Sequence, residues 1–367
     1  ASFDDQMRRV QAVTGATGTM FDELTVKAKE LGSTTAFTAS QAADGMAFLG
    51  QAGFSAQQIL EGIPAVLNLA AAGAIELGEA ADIASNIAGG FGLASDEIGR
   101  VADVLAQAAS SSNVNISELG EAFAKAGPAA KAAGQEIEEA AAAVGILGDS
   151  GVKGSLAGTD VQNILIEMAK RADIAGVKTT DAAGNVRDML DVMKDLGGAT
   201  SGMSEAERLS FFIDTFGKRS AKSAIILSSA NKRIDEMRDK MANAEGRAKS
   251  MAATMEGGIG GAWRKTKSAV EGVAIAIGET LAPTLKDIAA WFAKAAGKIK
   301  TFIEENKKAV KATAAVVAGV IAGGAAFMAI GSALTAAGVA LGGMAAIVAA
   351  IGAALGMLFT PLGAVAG

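Results

Sequence analysis

Most of the side chains that carry covalent or metal chemistry in proteins are missing from this sequence. It has no His and no Cys. A zinc site with Cys or His ligands cannot form, nor can a Cys nucleophile, a Ser-His-Asp triad or a disulfide. Two strings look superficially like phosphate cradles: Gly151-Val152-Lys153-Gly154-Ser155 and Gly217-Lys218-Arg219-Ser220. A P-loop needs Gly-Lys-Ser/Thr opening a helix after a strand. The first string reads Lys-Gly-Ser between helices and the second fails in the same way, so close approach of turns and helices is the simpler role for these glycines. Glycoside cleavage needs two carboxylates at a sugar cleft, normally lined with aromatics, which are only 4 % of this chain. The sequence assigns no catalytic residue, no metal ligand and no cofactor.

What remains is the chemistry of charge and apolar surface. Lys294, Lys298, Lys300, Lys307, Lys308 and Lys311 lie on or near one side of a helix expected from about Thr284 to Val310. Leu285, Ile288, Phe292, Ala296, Ile299, Phe302 and Ile303 share another face. A basic amphipathic helix suits a bilayer surface or a protein groove, and lysines beside an apolar run favour anionic lipid. They are the candidates for membrane-surface or phosphate contact.

Residues 312–367 follow directly and contain no Asp, Glu, Lys or Arg. As helix they would extend about 84 Å at ~1.5 Å per residue, while one crossing of a ~30 Å hydrocarbon core takes about 20 residues. The run fits two crossings, from about Val316 to Thr335 and from about Val339 to Phe359, with a turn near Ala336-Ala337-Gly338. Twenty of its residues are Ala and eleven Gly, which bring little apolar area for transfer into lipid but let helix backbones approach closely. Gly319, Gly323, Phe327, Gly338, Gly342, Ile347, Ile351 and Phe359 are the candidate residues for the membrane hairpin and its helix packing. The expectation is a hairpin that packs against copies of itself and then enters lipid when released. A buried hairpin in a soluble core is the alternative.

Half of the 367 residues are apolar, Gly is common (46), Pro rare (4) and Tyr absent. This profile predicts an all-α chain of Ala-rich helices joined by Gly turns. Charge is unevenly spread. Residues 1–216 hold fourteen Lys and Arg against twenty-nine Asp and Glu, whereas residues 217–367 hold nineteen against ten. The basic part could meet phosphate on lipid or DNA. There is no signal peptide at the front. Beginning with Ala1 and stopping in an apolar stretch, the chain reads as a piece of something longer.

Along the chain, two short helices are expected before a stop at Leu31-Gly32. Ser40 is expected to cap the next helix, and Ser55 with Gln58 forms a capping box for another, in which Pro64 should kink or restart the helix. Helices follow from about Gly78 to Gly89 and from Ser95, and one capped by Ser117 is expected to end at Gly127-Pro128. Residues 136–148 form a further Ala-rich helix, and Thr159 is expected to cap the one after it. Residues 173–185 read as a polar loop and Val186 to Leu196 as a helix. Ser204 and Glu207 make a second capping box. From about Ala221 to Met255 the helical signals run almost unbroken, with Ile234, Met237 and Met241 suiting an exposed helix or loose coiled coil. Gly257-Gly258-Ile259-Gly260-Gly261 marks a hinge, and Pro283 is expected to break the run that follows. The division expected is a helical core over 1–256, a hinge with amphipathic helices over 257–311, and the apolar hairpin over 312–367.

Several of these strings, in order and spacing, resemble the core of bacteriophage tail tape-measure proteins. They are Phe37-Thr38-Ala39-Ser40-Gln41-Ala42-Ala43-Asp44, Gln51-Ala52-Gly53-Phe54-Ser55, Phe91-Gly92-Leu93, Val101-Ala102-Asp103-Val104-Leu105-Ala106 and Gly127-Pro128. Gly151-Val152-Lys153-Gly154-Ser155-Leu156-Ala157-Gly158-Thr159 is the most specific, and Trp263 through Gly278, Leu281 and Pro283 is similar to what often follows. The resemblance covers roughly residues 20–290. One departure is Phe123 in a stretch where the family often carries Tyr. The resemblance implies a structural protein of the virion, lying in the lumen of the tail tube, whose length sets tail length. It implies tail tube protein and tail assembly chaperones as partners, with DNA close by without specific contact. It also implies release ahead of the DNA on infection and transient entry into the host membrane. The small-residue stripes add self-association, as a trimer or hexamer to match tail symmetry. A pore-forming toxin with a solubilising helical domain is the other reading, and a cell-wall hydrolase a third.

Overall fold

A computed structural model describes residues 2–308 and 311. The chain divides into two units, Ala1–Glu279 and Thr280–Gly367. The fold is all-α: fourteen α-helices and a two-stranded hairpin among the described residues. In order these are α1 (Ser2–Thr14), α2 (Thr19–Thr34), α3 (Ala39–Gln51), α4 (Ala56–Gly73), α5 (Leu77–Phe91), α6 (Ile98–Ser111), α7 (Ile116–Ala132), α8 (Ile137–Asp149) and α9 (Gly154–Lys170). The hairpin strands β1 (Asp173–Ile174) and β2 (Val177–Lys178) follow, then α10 (Met189–Ala199), α11 (Glu205–Ser229), α12 (Asn231–Ala242), α13 (Arg247–Met255) and α14 (Ile259–Glu305).

The centre of the first unit is α8, where Ala140 through Gly148 are all buried. A helix apolar on every side must be wrapped by others, and α6, α7, α9, α11 and α12 do so. Small residues let them close in. A Cβ on Gly158 of α9 would sit 2.0 Å from the carbonyl oxygen of Ala122 in α7, and one on Gly197 of α10 would sit 2.0 Å from that of Ser228 in α11. Phe91 and Phe123 meet edge to face at 5.6 Å where α5 crosses α7.

The capping boxes at Ser55/Gln58 and Ser204/Glu207 form as expected. Other boundaries differ. Thr38, not Ser40, caps α3: its side chain accepts from the Gln41 backbone while Gln41 accepts from that of Thr38. Asn115, not Ser117, caps α7 in the same way with Glu118. Both true caps sit two residues earlier, where the box partner falls three residues on. Gly32 does not stop α2, which runs to Thr34. Its missing side chain serves packing instead, since a Cβ would lie 2.6 Å from the Ala39 nitrogen. Thr159 lies inside α9 and donates to the Ser155 carbonyl at 2.8 Å. The helix starts earlier because Gly154, at φ +55, turns the chain into it.

Pro64, Pro128 and Pro283 all lie inside helices. In α4 and α7 buried residues on both sides of the proline, Ile63 and Val66, Ala126 and Ala130, hold the helix together against one lost hydrogen bond. The expected polar loop at 173–185 contains β1 and β2, paired antiparallel through Ile174 and Val177. Ala175 and Gly176 both take positive φ in the connecting turn, the geometry that matches strand twist. Asp188 caps α10 at Met189, later than the expected Val186. The stretch from Ala221 to Met255 is three helices, not a coiled coil. Ile234, Met237 and Met241 of α12 are buried in the core.

Candidate functional site

No group of His, Cys, Asp or Glu among the described residues could hold a metal ion. The loop before α9 offers no anion cradle. Lys153 reaches Asn113 at 3.2 Å and lies 3.8 Å from Glu118, and the Ser155 backbone donates to Glu121 at 3.3 Å. Its donors are taken by acceptors from α7 and the loop before it. Gly217 lies within α11, where a φ of +77 kinks the helix.

Two polar assemblies, one buried and one half-buried, tie the helices, and neither was evident from the sequence. Asp160 of α9 is almost fully buried and accepts from Ser220 at 3.0 Å and Ser223 at 2.5 Å, both on α11 beyond the kink. Asn163 donates to Ser220 at 3.1 Å. Arg238 of α12 gathers three carboxylates, Glu139 of α8, Asp188 and Asp191 of α10. Burial pushes the Glu139 carboxyl up to about 7, against the opposing pull of Arg238, and Asp188 raises it further. On α6, Arg100 is held between Glu97, Glu136 and Glu138, whose hydrogen bonds raise its pKa further. These groups tie helices to one another, and the grooves beside Phe48, beside Gln41 and between α2 and α14 are lined by other residues.

The basic and apolar residues singled out in the sequence lie on and just after α14. In the second unit Lys294, Lys298 and Lys300 lie on α14, and Lys307, Lys308 and Lys311 follow its end. All six are exposed. Ile288, Phe292 and Ile303 on the apolar face are exposed as well, and Trp291 stands edge-on to Phe292 at 5.1 Å. Gly319, Gly323, Phe327, Gly338, Gly342, Ile347, Ile351 and Phe359 lie outside the described residues. Among the described residues no single helix is long and apolar enough to cross a membrane. The pair α4 and α5 passes by length and composition with a 117° bend, yet both helices bury their apolar residues in the core.

In the first unit, residues 259–279 of α14 are turned inside out. Ser268 donates to the carbonyls of Gly32 and Phe37, the latter at 2.9 Å. The Ser40 backbone donates to Glu271 at 2.9 Å, and Lys29 pairs with Glu279 at 2.5 Å. Ser268 and Glu271, with the partly buried Ile275 beside them, thus face the helices that this segment packs on. The apolar row from Trp263 through Ile277 was legible in the sequence as a periodic run, but its outward direction was not, because only the partners of Ser268 and Glu271 fix it.

The first unit is an all-helical, glycine-packed core, and α14 carries exposed apolar and basic residues. The family model for phage-related minor tail protein matches residues 25–217, over half of the chain, and the chain belongs to that family. It is 32 % identical over 294 residues to the tape measure protein of Pneumococcus phage Dp-1, an alignment covering 78 % of this chain and 26 % of the relative. It is 28 % identical over 336 residues to the probable tape measure protein of Escherichia phage P2, covering 88 % of this chain and 41 % of the relative. The chain therefore spans between a quarter and two fifths of the relatives it matches. No solved structure matches it.

Proposed function

We propose that this chain is part of a tail tape-measure protein: tube subunits polymerise around the whole protein, and its length fixes where the tube ends. The observation that carries this reading is the similarity to two tape measure proteins across 78 % and 88 % of the chain. The protein resides in the tail lumen of the virion, held by tail assembly chaperones before the tube protein encloses it. Copies associate there as a trimer or hexamer, with DNA nearby and no specific contact to it. It has no catalytic task.

Within that role the portion in hand is more plug than ruler. A straight helix adds ~1.5 Å per residue to a tape, whereas helices folded back on one another, as α5, α7 and α9 are, add far less. On infection the released chain lays its basic helix on anionic lipid through Lys294, Lys298, Lys300, Lys307, Lys308 and Lys311. The apolar run 312–367 then enters the host membrane as a hairpin and helps to open a channel for the genome. The functional division is 1–256 as core, 257–311 as hinge and surface helix, and 312–367 as hairpin. Tubes assembled in cells without this gene test the length-setting role. The expected result is tubes of scattered length or none, restored to one length by the gene in trans, and uniform native-length tails in its absence would refute it.

A further inference from the structure

The inverted segment of α14 has a neighbour that the proposed function does not use. Trp263, Val270, Val273 and Ile277 are 71, 65, 61 and 56 % exposed, in a row on the side of α14 away from Ser268. An amphipathic helix ordinarily turns such a row toward its own domain. Beside the row, between α14 and α2, runs a groove of about 700 Å³. Small residues line it, among them Gly32, Ala39, Ala269 and Gly272, and the exposed Val26 and Val273 line it too. A ridge of large side chains thus stands next to a trough floored by small ones.

We infer that this face receives a second copy of the same chain, with the ridge of each copy in the trough of the other about a two-fold axis. Ridge and trough on one surface are what an isologous contact requires, because the same patch must be complementary to itself. The charges agree. In the groove Lys29 pairs with Glu279, and Glu30 pairs with Lys27 beside it, so these charges are already matched within the chain: the trough suits an apolar ridge and gives anionic lipid no unpaired cation. The size agrees too. Residues 259–279 span about 30 Å, and two adjacent helices are about 20 Å across, so each copy would cover roughly 600 Å², the lower bound of a specific interface. The inference rests on the self-association in the proposed function and narrows it, since pairs build a hexamer and do not build a trimer.

The chain has no Cys, so single-cysteine variants of the full chain report the contact directly. Val273→Cys and Ile277→Cys are expected to form disulfide-linked dimers under mild oxidation at micromolar protein. Leu156→Cys, equally exposed on α9 at 57 %, is expected to give only background. Val273→Glu, placed at an exposed site and checked for native circular dichroism, should raise the dimer dissociation constant at least about tenfold by burying an unpaired carboxylate. Equal cross-linking at all three positions, or an unchanged dissociation constant, overturns the inference. In a Trp291→Phe background, a blue shift of Trp263 emission on adding phosphatidylglycerol vesicles would make lipid the occupant and overturn it as well. Tube length is read without reference to this contact, so its failure leaves the length-setting role standing.

Discussion

Replacing Gly158 by Ala tests whether backbone contact between α7 and α9 organises the core. The added Cβ would lie 2.0 Å from the Ala122 oxygen and 2.7 Å from its carbonyl carbon and Cα. These are main-chain atoms on the buried face of α7, so neither a rotamer change nor a side-chain shift relieves the clash. Overpacking a core costs about 1–3 kcal/mol, and a backbone obstacle belongs at the upper end. Alanine returns about 1 kcal/mol of helix propensity, so the net loss is about 2 kcal/mol, or roughly 4–8 °C in melting temperature for a unit of this size. Gly89 supplies the contrast. It lies in α5 with nothing within 4 Å of the position of a Cβ, so Gly89→Ala keeps the propensity gain and should raise the melting temperature by a degree or more, on the order of 0.5–1 kcal/mol. Thermal unfolding of the full chain followed by far-ultraviolet circular dichroism measures both. If Gly158→Ala melts at or above Gly89→Ala, the close approach of α7 and α9 is wrong.

Three further outcomes follow from the buried polar groups and caps. Asp160→Ala strands the Ser220 and Ser223 hydroxyls and should cost about 2–3 kcal/mol, while Asp160→Asn, which still offers an acceptor, should cost less; urea unfolding separates them. The Glu139 carboxyl is pushed up to about 7 in the folded chain against an ordinary 4.5. The folded state therefore keeps a proton that the unfolded chain has released between those values, so its contribution to stability is full below pH 4.5 and is lost as pH rises through 7. Glu139→Gln should flatten that slope by up to about 3 kcal/mol and be the more stable form at pH 8; parallel pH profiles for the two chains would contradict the burial of this group. Thr38→Ala removes the α3 cap and should cost about 1 kcal/mol, whereas Ser40→Ala should cost much less, because the hydrogen bond from Ser40 to Glu271 is made by its backbone, which alanine keeps.

The sequence disclosed more about helices than about their ends. Apolar periodicity identified the faces of α4, α6 and α9 correctly, and Ile59, Val66, Val101 and Ile164 are all buried. The ends were harder because Gly, Pro and Ser have several uses. Gly32 could stop a helix or admit a neighbour, and only the position of Ala39 decides between them. Pro64 and Pro128 read locally as breaks, yet packing on both sides overrides them. Asp160 and Arg238 carried no sequence signal, since their partners lie forty-seven to ninety-nine residues away. Along α14 the basic face and the apolar row were legible from spacing alone. That the row from Trp263 to Ile277 faces away from the domain depended on contacts made by Ser268 and Glu271 far along the chain.

The proposed delivery role turns on residues 312–367, and vesicle leakage measures it most directly. Dye-loaded phosphatidylglycerol vesicles would be mixed with the full chain and with a chain ending at Lys311. The full chain should release the dye, and the shortened chain should still bind the vesicles through its lysines but leave them sealed. Equal release by the two chains would contradict the assignment of the apolar run as the membrane-entering part.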